Sequence, residues 1–146
     1  MSRQDAHAGP RRRAREVAFR VAYQADVNGD TFADTWSARQ DEERLTPEQA
    51  ELVQDIVRAL TGGGEAVDAT IRGAASHWPL ERMSGTDRAV LRVAVAELQS
   101  RAGTPARVVI DEAIEIAREF GAEESGRFVN GLLDRIARDL RPAEFA

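Results

Sequence analysis

The sequence predicts an all-α fold, and three observations carry that prediction. No stretch of the 146 residues alternates apolar and polar side chains between turn signals, as a half-buried strand would. Several segments instead repeat their apolar residues at intervals of three and four, which is the spacing of one helix face. Capping residues, glycines and prolines fall between these segments, where helices start and stop. Six or seven short helices with short connections make a compact bundle.

Residues 1–9 are small and polar and are expected to form a mobile tail. Pro10 suits a first helical turn, and Ala14, Val17, Ala18, Val21, Ala22 and Ala25 form an apolar stripe that ends near Asn28 and Gly29. A short second helix covers Phe32 to Gln40. Thr46, Pro47 and Glu48 open a third, which turns Leu52, Val53, Ile56, Val57 and Leu60 inward. Gly62, Gly63 and Gly64 interrupt the pattern, as a bend or as a loop, before a fourth segment with Val67, Ile71 and Ala74 that ends at Trp78 and Pro79.

A second block begins near Leu80. Ser84 or Thr86 caps a helix from Asp87 to about Ser100, and its Val90, Leu91, Val93, Ala94, Val95 and Leu98 cover most of the circumference, so this helix is expected at the centre. Thr104 and Pro105 cap and open the next, with Val109, Ile110, Ala113, Ile116, Ala117 and Phe120 on one side, and Gly121 stops it. The last helix starts between Glu123 and Gly126 and carries Val129, Leu132, Leu133, Ile136 and Leu140 inward. The seam near residue 80 divides a single domain, 10–146, into sub-bundles of about 10–79 and 80–141.

Composition narrows the chemistry. The chain is 42% apolar, 31% charged and free of cysteine, so a core is available without disulfides, and thiol catalysis and cysteine-ligated zinc are excluded. His7 and His77 are the only histidines, too few and too far apart for a histidine-rich metal site. Asp111, Glu112, Glu115 and Glu119 share a helical face, but that face complements the apolar side of the same helix and reads as solvated. The glycines at 62–64 follow no strand and precede no Gly-Lys-Ser/Thr, so they form no phosphate loop. No cofactor, no metal and no enzymatic activity are expected. No apolar run approaches the roughly 20 residues of a membrane span, and the N-terminus is Arg-rich where a signal peptide is apolar; the expected location is cytoplasmic, away from membranes.

Charge is unevenly placed. Residues 1–20 hold six arginines against Asp5 and Glu16, a net of +4, whereas residues 21–146 carry a net of −9. A basic end on an acidic body points to an anionic partner for that end. Every one of the 20 basic residues is arginine, which suits bidentate phosphate contacts and equally suits a GC-rich coding sequence. At 100° per residue, Arg12, Arg15, Phe19 and Tyr23 fall on one strip beside the apolar stripe, and this pairing of guanidinium and ring suits single-stranded nucleic acid. The alternative is that Phe19 and Tyr23 pack against the second sub-bundle. On the last helix, Glu124, Arg127, Phe128 and Gly131 lie off the core stripe or at its edge, which leaves Phe128 either as a spare aromatic or as a core-edge residue.

Four stretches carry a family resemblance. Arg11-Arg12-Arg13-Ala14-Arg15-Glu16, then Asp87-Arg88-Ala89-Val90-Leu91-Arg92, then Asp111-Glu112-Ala113-Ile114-Glu115-Ile116-Ala117 followed by Phe128-Val129-Asn130-Gly131-Leu132-Leu133-Asp134, resemble the NusB transcription antitermination factors in order and spacing. Residues 30–78 contribute no motif to it. The resemblance implies two three-helix sub-bundles without enzymatic activity. It implies pairing with NusE, a small-ribosomal-subunit protein, and binding of the boxA element of nascent single-stranded RNA, so that RNA polymerase in an antitermination complex resists termination on ribosomal RNA genes. Carried over residue by residue, it selects Arg11, Arg12, Arg13 and Arg15 for phosphate contact, Phe128 for base stacking with Arg127 and Glu124 beside it, and Tyr23 and Asp87 for the partner. Family members often have aspartate where this chain has Glu124, and Gly126 supplies no side chain next to Arg127. A monomer and a homodimer both fit the resemblance. Two rivals stand beside this reading. One is the RNA-binding domain of an rRNA cytosine methyltransferase, against which a start at Met1 and a polar finish after Pro142 suggest a whole protein. The other is a helical protein-interaction module with a basic end.

Overall fold

The computed structural model describes the backbone from Arg3 to Ala146 and the side chains from Gly9 onward. Of the expected mobile tail at residues 1–9, residues 1 and 2 fall outside the described residues, and the backbone from Arg3 onward is assigned to the first helix. The six helices are α1 (Arg3–Asn28), α2 (Phe32–Glu43), α3 (Pro47–Ala74), α4 (Gly85–Ser100), α5 (Ala106–Phe120) and α6 (Ser125–Leu140). A 3-10 turn at Leu80–Arg82 leads into α4, another at Pro142–Phe145 closes the chain, and the described residues contain no strand. Gly9 (φ 67°, ψ 164°) breaks α1, and the regular helix runs on from Pro10.

α1, α2 and α3 pack on one another, as do α4, α5 and α6. α4 packs against α1 and α3 as well as α5 and α6, which makes it the central helix its sequence predicts. Val90, Leu91, Val93, Ala94, Val95, Ala96 and Leu98 are all buried. Ile56, Ile71, Leu80, Ile110, Leu133 and Ile136 complete the core around it. Each such side chain contributes about 1.5–3 kcal/mol of burial.

Three details differ from the sequence expectation. Residues 47–74 form one helix instead of two, with only Gly63 distorted (φ −126°, ψ 23°). The reason is register. Leu60, Val67, Ile71 and Ala74 are spaced by seven, four and three, so the buried stripe continues across the glycines and outweighs their cost of about 1 kcal/mol each. α4 begins at Gly85, ahead of Asp87, because Ser84 is its N-cap, its hydroxyl accepting the Asp87 N–H at 3.1 Å. Thr104 does not cap α5. It is buried, and the Ala106 N–H donates instead to Glu144 Oε1 at 2.9 Å, a carboxylate from the closing turn. The capping box at Thr46 and Gln49 forms as the sequence suggests, with Pro47 in the first turn.

Candidate nucleic-acid interface

Three helices meet where α5 ends. Gly121 stops α5 by donating to Ala117 O at 2.8 Å, and the Ser125 hydroxyl accepts the Ala122 N–H at 3.0 Å, so four residues turn the chain into α6. The turn is too tight for a side chain: a Cβ on Gly121 would lie 2.6 Å from Ser125 Oγ and 2.7 Å from Ala117 O. On the other flank, the Phe120 ring stacks on Phe19 of α1 at 5.2 Å between centroids, and the Arg20 guanidinium lies 5.6 Å from the Phe120 centroid. The end of α5 thus holds α1 on one side and the first turn of α6 on the other.

The arginines of α1 divide by which way they face. Arg15 is buried, and its Nε and Nη2 donate to the two oxygens of Glu97 on α4 at 2.8 and 2.7 Å. Burial lowers the Arg15 pKa, but the hydrogen bonds and charge of Glu97 and the charge of Glu112 outweigh it, so the net shift is upward and the group stays charged. Arg12 is nearly covered as well: Nε reaches Glu16 at 3.1 Å, Nη1 reaches Glu112 at 3.4 Å and Nη2 reaches Glu119 at 3.2 Å. Arg12 and Arg15, both expected at phosphate, are thus turned toward carboxylates of this chain. Arg15 lies inside the first turns of the helix stripe, and Arg12 is held by three carboxylates from α1 and α5. Arg13 is half-exposed and donates to the Glu43 carbonyl at 2.6 Å, while Arg11 is exposed. Phe19 is core, as the packing alternative held, and Tyr23 is 41% exposed.

At the start of α6, Glu124 occupies the N-cap position without a side-chain hydrogen bond and is exposed, as is Arg127. Phe128 is half-buried and packs against the core cluster. Arg118, which the sequence reading did not select, lies over Gly126: a Cβ there would sit 3.0 Å from Arg118 Cγ and 3.1 Å from Nε. Arg20, two turns beyond Arg12 on the same helix, is exposed. The bare Gly126 was the available signal for Arg118, since a gap beside Arg127 invites a neighbouring side chain.

A second surface adjoins the first along α1. The Tyr23 ring rests on Gly85, whose Cβ would meet Tyr23 Cε2 at 3.1 Å, so Tyr23 sits beside the N-terminus of α4. Asp87 is in that first turn, half-buried, with its Oδ1 buried and without a hydrogen-bond donor. Nearby, Asp26 of α1 takes Arg88 at 2.7 Å, and Arg92 takes Asp68 of α3 at 2.9 Å, which ties this end of the bundle together.

No group of three or more metal-ligating side chains converges among the described residues, and none of their helices is long and apolar enough to cross a membrane. An open groove of about 530 Å³ is lined by Phe32, Arg92 and the Gly62–Gly64 stretch of α3, with no contribution from α5 or α6.

Comparison with known proteins gives a consistent result. The model of the NusB family matches residues 12–138. The chain is 42% identical over 137 residues to the transcription antitermination protein NusB of Anaeromyxobacter dehalogenans, covering 91% of this chain and 94% of that one. The solved structure of T. maritima NusB superposes with a TM-score of 0.85 at 35% identity, over 92% of this chain and 96% of that one. A chain in a crystal structure of antitermination factors NusB and NusE in complex with dsRNA shares the fold, with a TM-score of 0.79 at 24% identity over 89% of this chain and 97% of that one. On the family match, the sequence identity and the superposition together, the chain belongs to the NusB family.

Proposed function

We propose that this chain is a cytoplasmic, non-enzymatic transcription antitermination factor that binds boxA-type single-stranded RNA together with NusE and supports transcription of ribosomal RNA by RNA polymerase. The observation that carries the reading is the α1–α5–α6 corner in a chain of this family. There, the exposed Arg127 accompanies the half-buried ring of Phe128; on α1, Arg11 is exposed and Arg13 lies against Glu43 of α2. Guanidiniums neutralise phosphates, and a ring with one free face stacks a base, worth about 1–3 kcal/mol. The methyltransferase rival loses support, because the Anaeromyxobacter relative is matched over 94% of its own length and bears an antitermination name.

Tyr23 and Asp87 are the proposed NusE contacts. Tyr23 is an exposed aromatic beside the start of α4, and the half-buried Asp87 adds a negative charge there that suits a basic partner. The acidic body, net −9 outside residues 1–20, favours encounter with such a protein. Glu124 is the counterweight: exposed at the N-cap of α6, it places a negative charge near the proposed phosphate path.

The test is a fluorescence titration of labelled boxA-type RNA, with scrambled RNA and duplex RNA as competitors, with and without NusE. The reading expects sequence-preferring binding that NusE strengthens, and Glu124→Gln tightens it by removing a repulsive charge. Equal affinity for the boxA-type and scrambled RNA in both mixtures would overturn it.

A further inference from the structure

We propose that Arg20 and Arg118 are the cations that carry RNA phosphates across the last turn of α5, and that Arg12 and Arg15 are internal latches that do not reach the RNA. The proposal rests on the reading of the corner as the RNA site and changes which residues do the work there.

The argument starts from charge that is already spent. Around Arg12 stand three carboxylates for one guanidinium, so a phosphate approaching it meets a net negative surface and must displace Glu16, Glu112 or Glu119. Arg15 faces the core and is closed off by Glu97. Neither offers a phosphate an unshared positive charge.

Arg20 and Arg118 do. Arg20 is exposed and has no ion pair within 4.0 Å among the described residues; the Phe120 ring beneath it holds the guanidinium in place, which reduces the freedom lost when it engages a ligand. Arg118 is 66% exposed, and its single acidic neighbour, Glu115, lies 3.7 Å away on its own helix. Its stem crosses to α6 through the space that Gly126 leaves, so a cation from α5 takes the place beside Arg127 where residue 126 supplies no side chain. Positions 118 and 120 point about 160° apart on a helix, so Arg20, lying over Phe120, and Arg118 flank the end of α5 from opposite sides. The two guanidiniums thus bracket the last turn of α5, Arg118 on the side of α6 and Arg20 on the side of α1.

The experiment uses the full chain and a fluorescein-labelled boxA-type single-stranded RNA, titrated across a range of salt concentrations. At about 0.7 counterions released per phosphate of a single strand, loss of one contact weakens binding about fourfold at 0.15 M salt. Arg20→Gln and Arg118→Gln should each show that loss. Together they should lose about 14-fold and flatten the salt slope by about 1.4. Gly126→Ala should match Arg118→Gln, because the added methyl displaces the flexible Arg118 stem, and should cost nothing further in the Arg118→Gln background. Arg12→Gln should lower Tm while keeping the wild-type slope. If the double variant keeps the wild-type slope while Phe128→Leu weakens binding, the proposal fails and the RNA-site reading stands. A slope that falls in Arg12→Gln overturns the latch assignment. A wild-type protein that does not prefer boxA-type over scrambled RNA overturns both.

Discussion

Replacing Arg15 by methionine separates a structural arginine from an RNA-binding one. The side chain is 5% exposed and that of Glu97 is 1% exposed, and the two make a bidentate pair at 2.8 and 2.7 Å between α1 and α4. Around them stand Phe19, Val90, Val93, Ala94, Val109, Ala113 and Ile116, which offer the carboxylate no other donor. Arg15→Met leaves Glu97 charged in that apolar setting, and breaking a buried pair in this way costs about 3–5 kcal/mol. For a domain of this size, about 2–4 °C is lost per kcal/mol, so Tm should fall by about 6–20 °C. The double change Arg15→Met with Glu97→Leu should recover most of the loss, because a well-packed apolar pair is close to neutral or better. Thermal melts followed by circular dichroism measure both, and RNA titrations well below the lower Tm complete the set. An unchanged Tm for Arg15→Met, with weaker RNA binding and a salt slope flatter by about 0.7, would refute the burial argument and return Arg15 to the phosphate-contact set.

Three further outcomes follow from the same geometry. Phe128→Leu keeps an apolar group against the core and removes the stacking face, so RNA affinity should drop by about 1–3 kcal/mol with a small change in Tm; a large Tm loss with unchanged affinity would make Phe128 a core residue. Gly121→Ala puts a methyl 2.6 Å from Ser125 Oγ and 2.7 Å from a backbone carbonyl, which should cost about 1–3 kcal/mol in chemical denaturation and shift the start of α6. The Ala106 N–H and then the Arg141 guanidinium hold the Glu144 pKa below the usual glutamate range. The folded state therefore binds its proton less readily than the unfolded chain, so the stabilisation is present at neutral pH and is lost as pH falls through the acid range. Glu144→Gln should flatten that acid limb in melts taken at falling pH, and an unaltered limb would count against the cap.

Periodicity made the helices legible and left side-chain direction obscure. Stripes such as Val109, Ile110, Ala113, Ile116 and Ala117 name one face of α5, and that face is buried. The glycines at 62–64 misled because a local breaker was weighed without the register of the stripe on either side. Thr104 misled for the converse reason: a good local cap lost to a carboxylate 40 residues further on, which no local pattern reveals. For the candidate site, edge position on the last helix singled out Phe128 and Arg127, strip position on the first singled out Arg12, and the resemblance added Arg11. The same reasoning grouped Arg15 with them, because Arg15 adjoins the apolar stripe and a helical wheel does not say that a glutamate on another helix faces it. Glu97 itself lies within the apolar run of α4, and an acid in a fully buried helix is the sign that a cation must reach it.

That point extends to the whole arginine complement. A guanidinium fork can satisfy several acceptors at once, and here it repeatedly does so between elements. Arg88 joins Asp26 to the carbonyls of Leu80 and Met83, and Arg141 takes the carbonyls of Leu98, Arg101 and Thr104 together with Glu144. The count of basic residues is therefore a poor measure of charge available to RNA. Four phosphate contacts through Arg11, Arg12, Arg13 and Arg15 would give a salt slope near −3, but so would four through Arg11, Arg20, Arg118 and Arg127, at about 0.7 each. The wild-type slope alone is blind to the difference. Only slopes measured one arginine at a time distinguish a basic segment that binds because it is basic from a corner that binds because the fold has left particular guanidiniums unpaired.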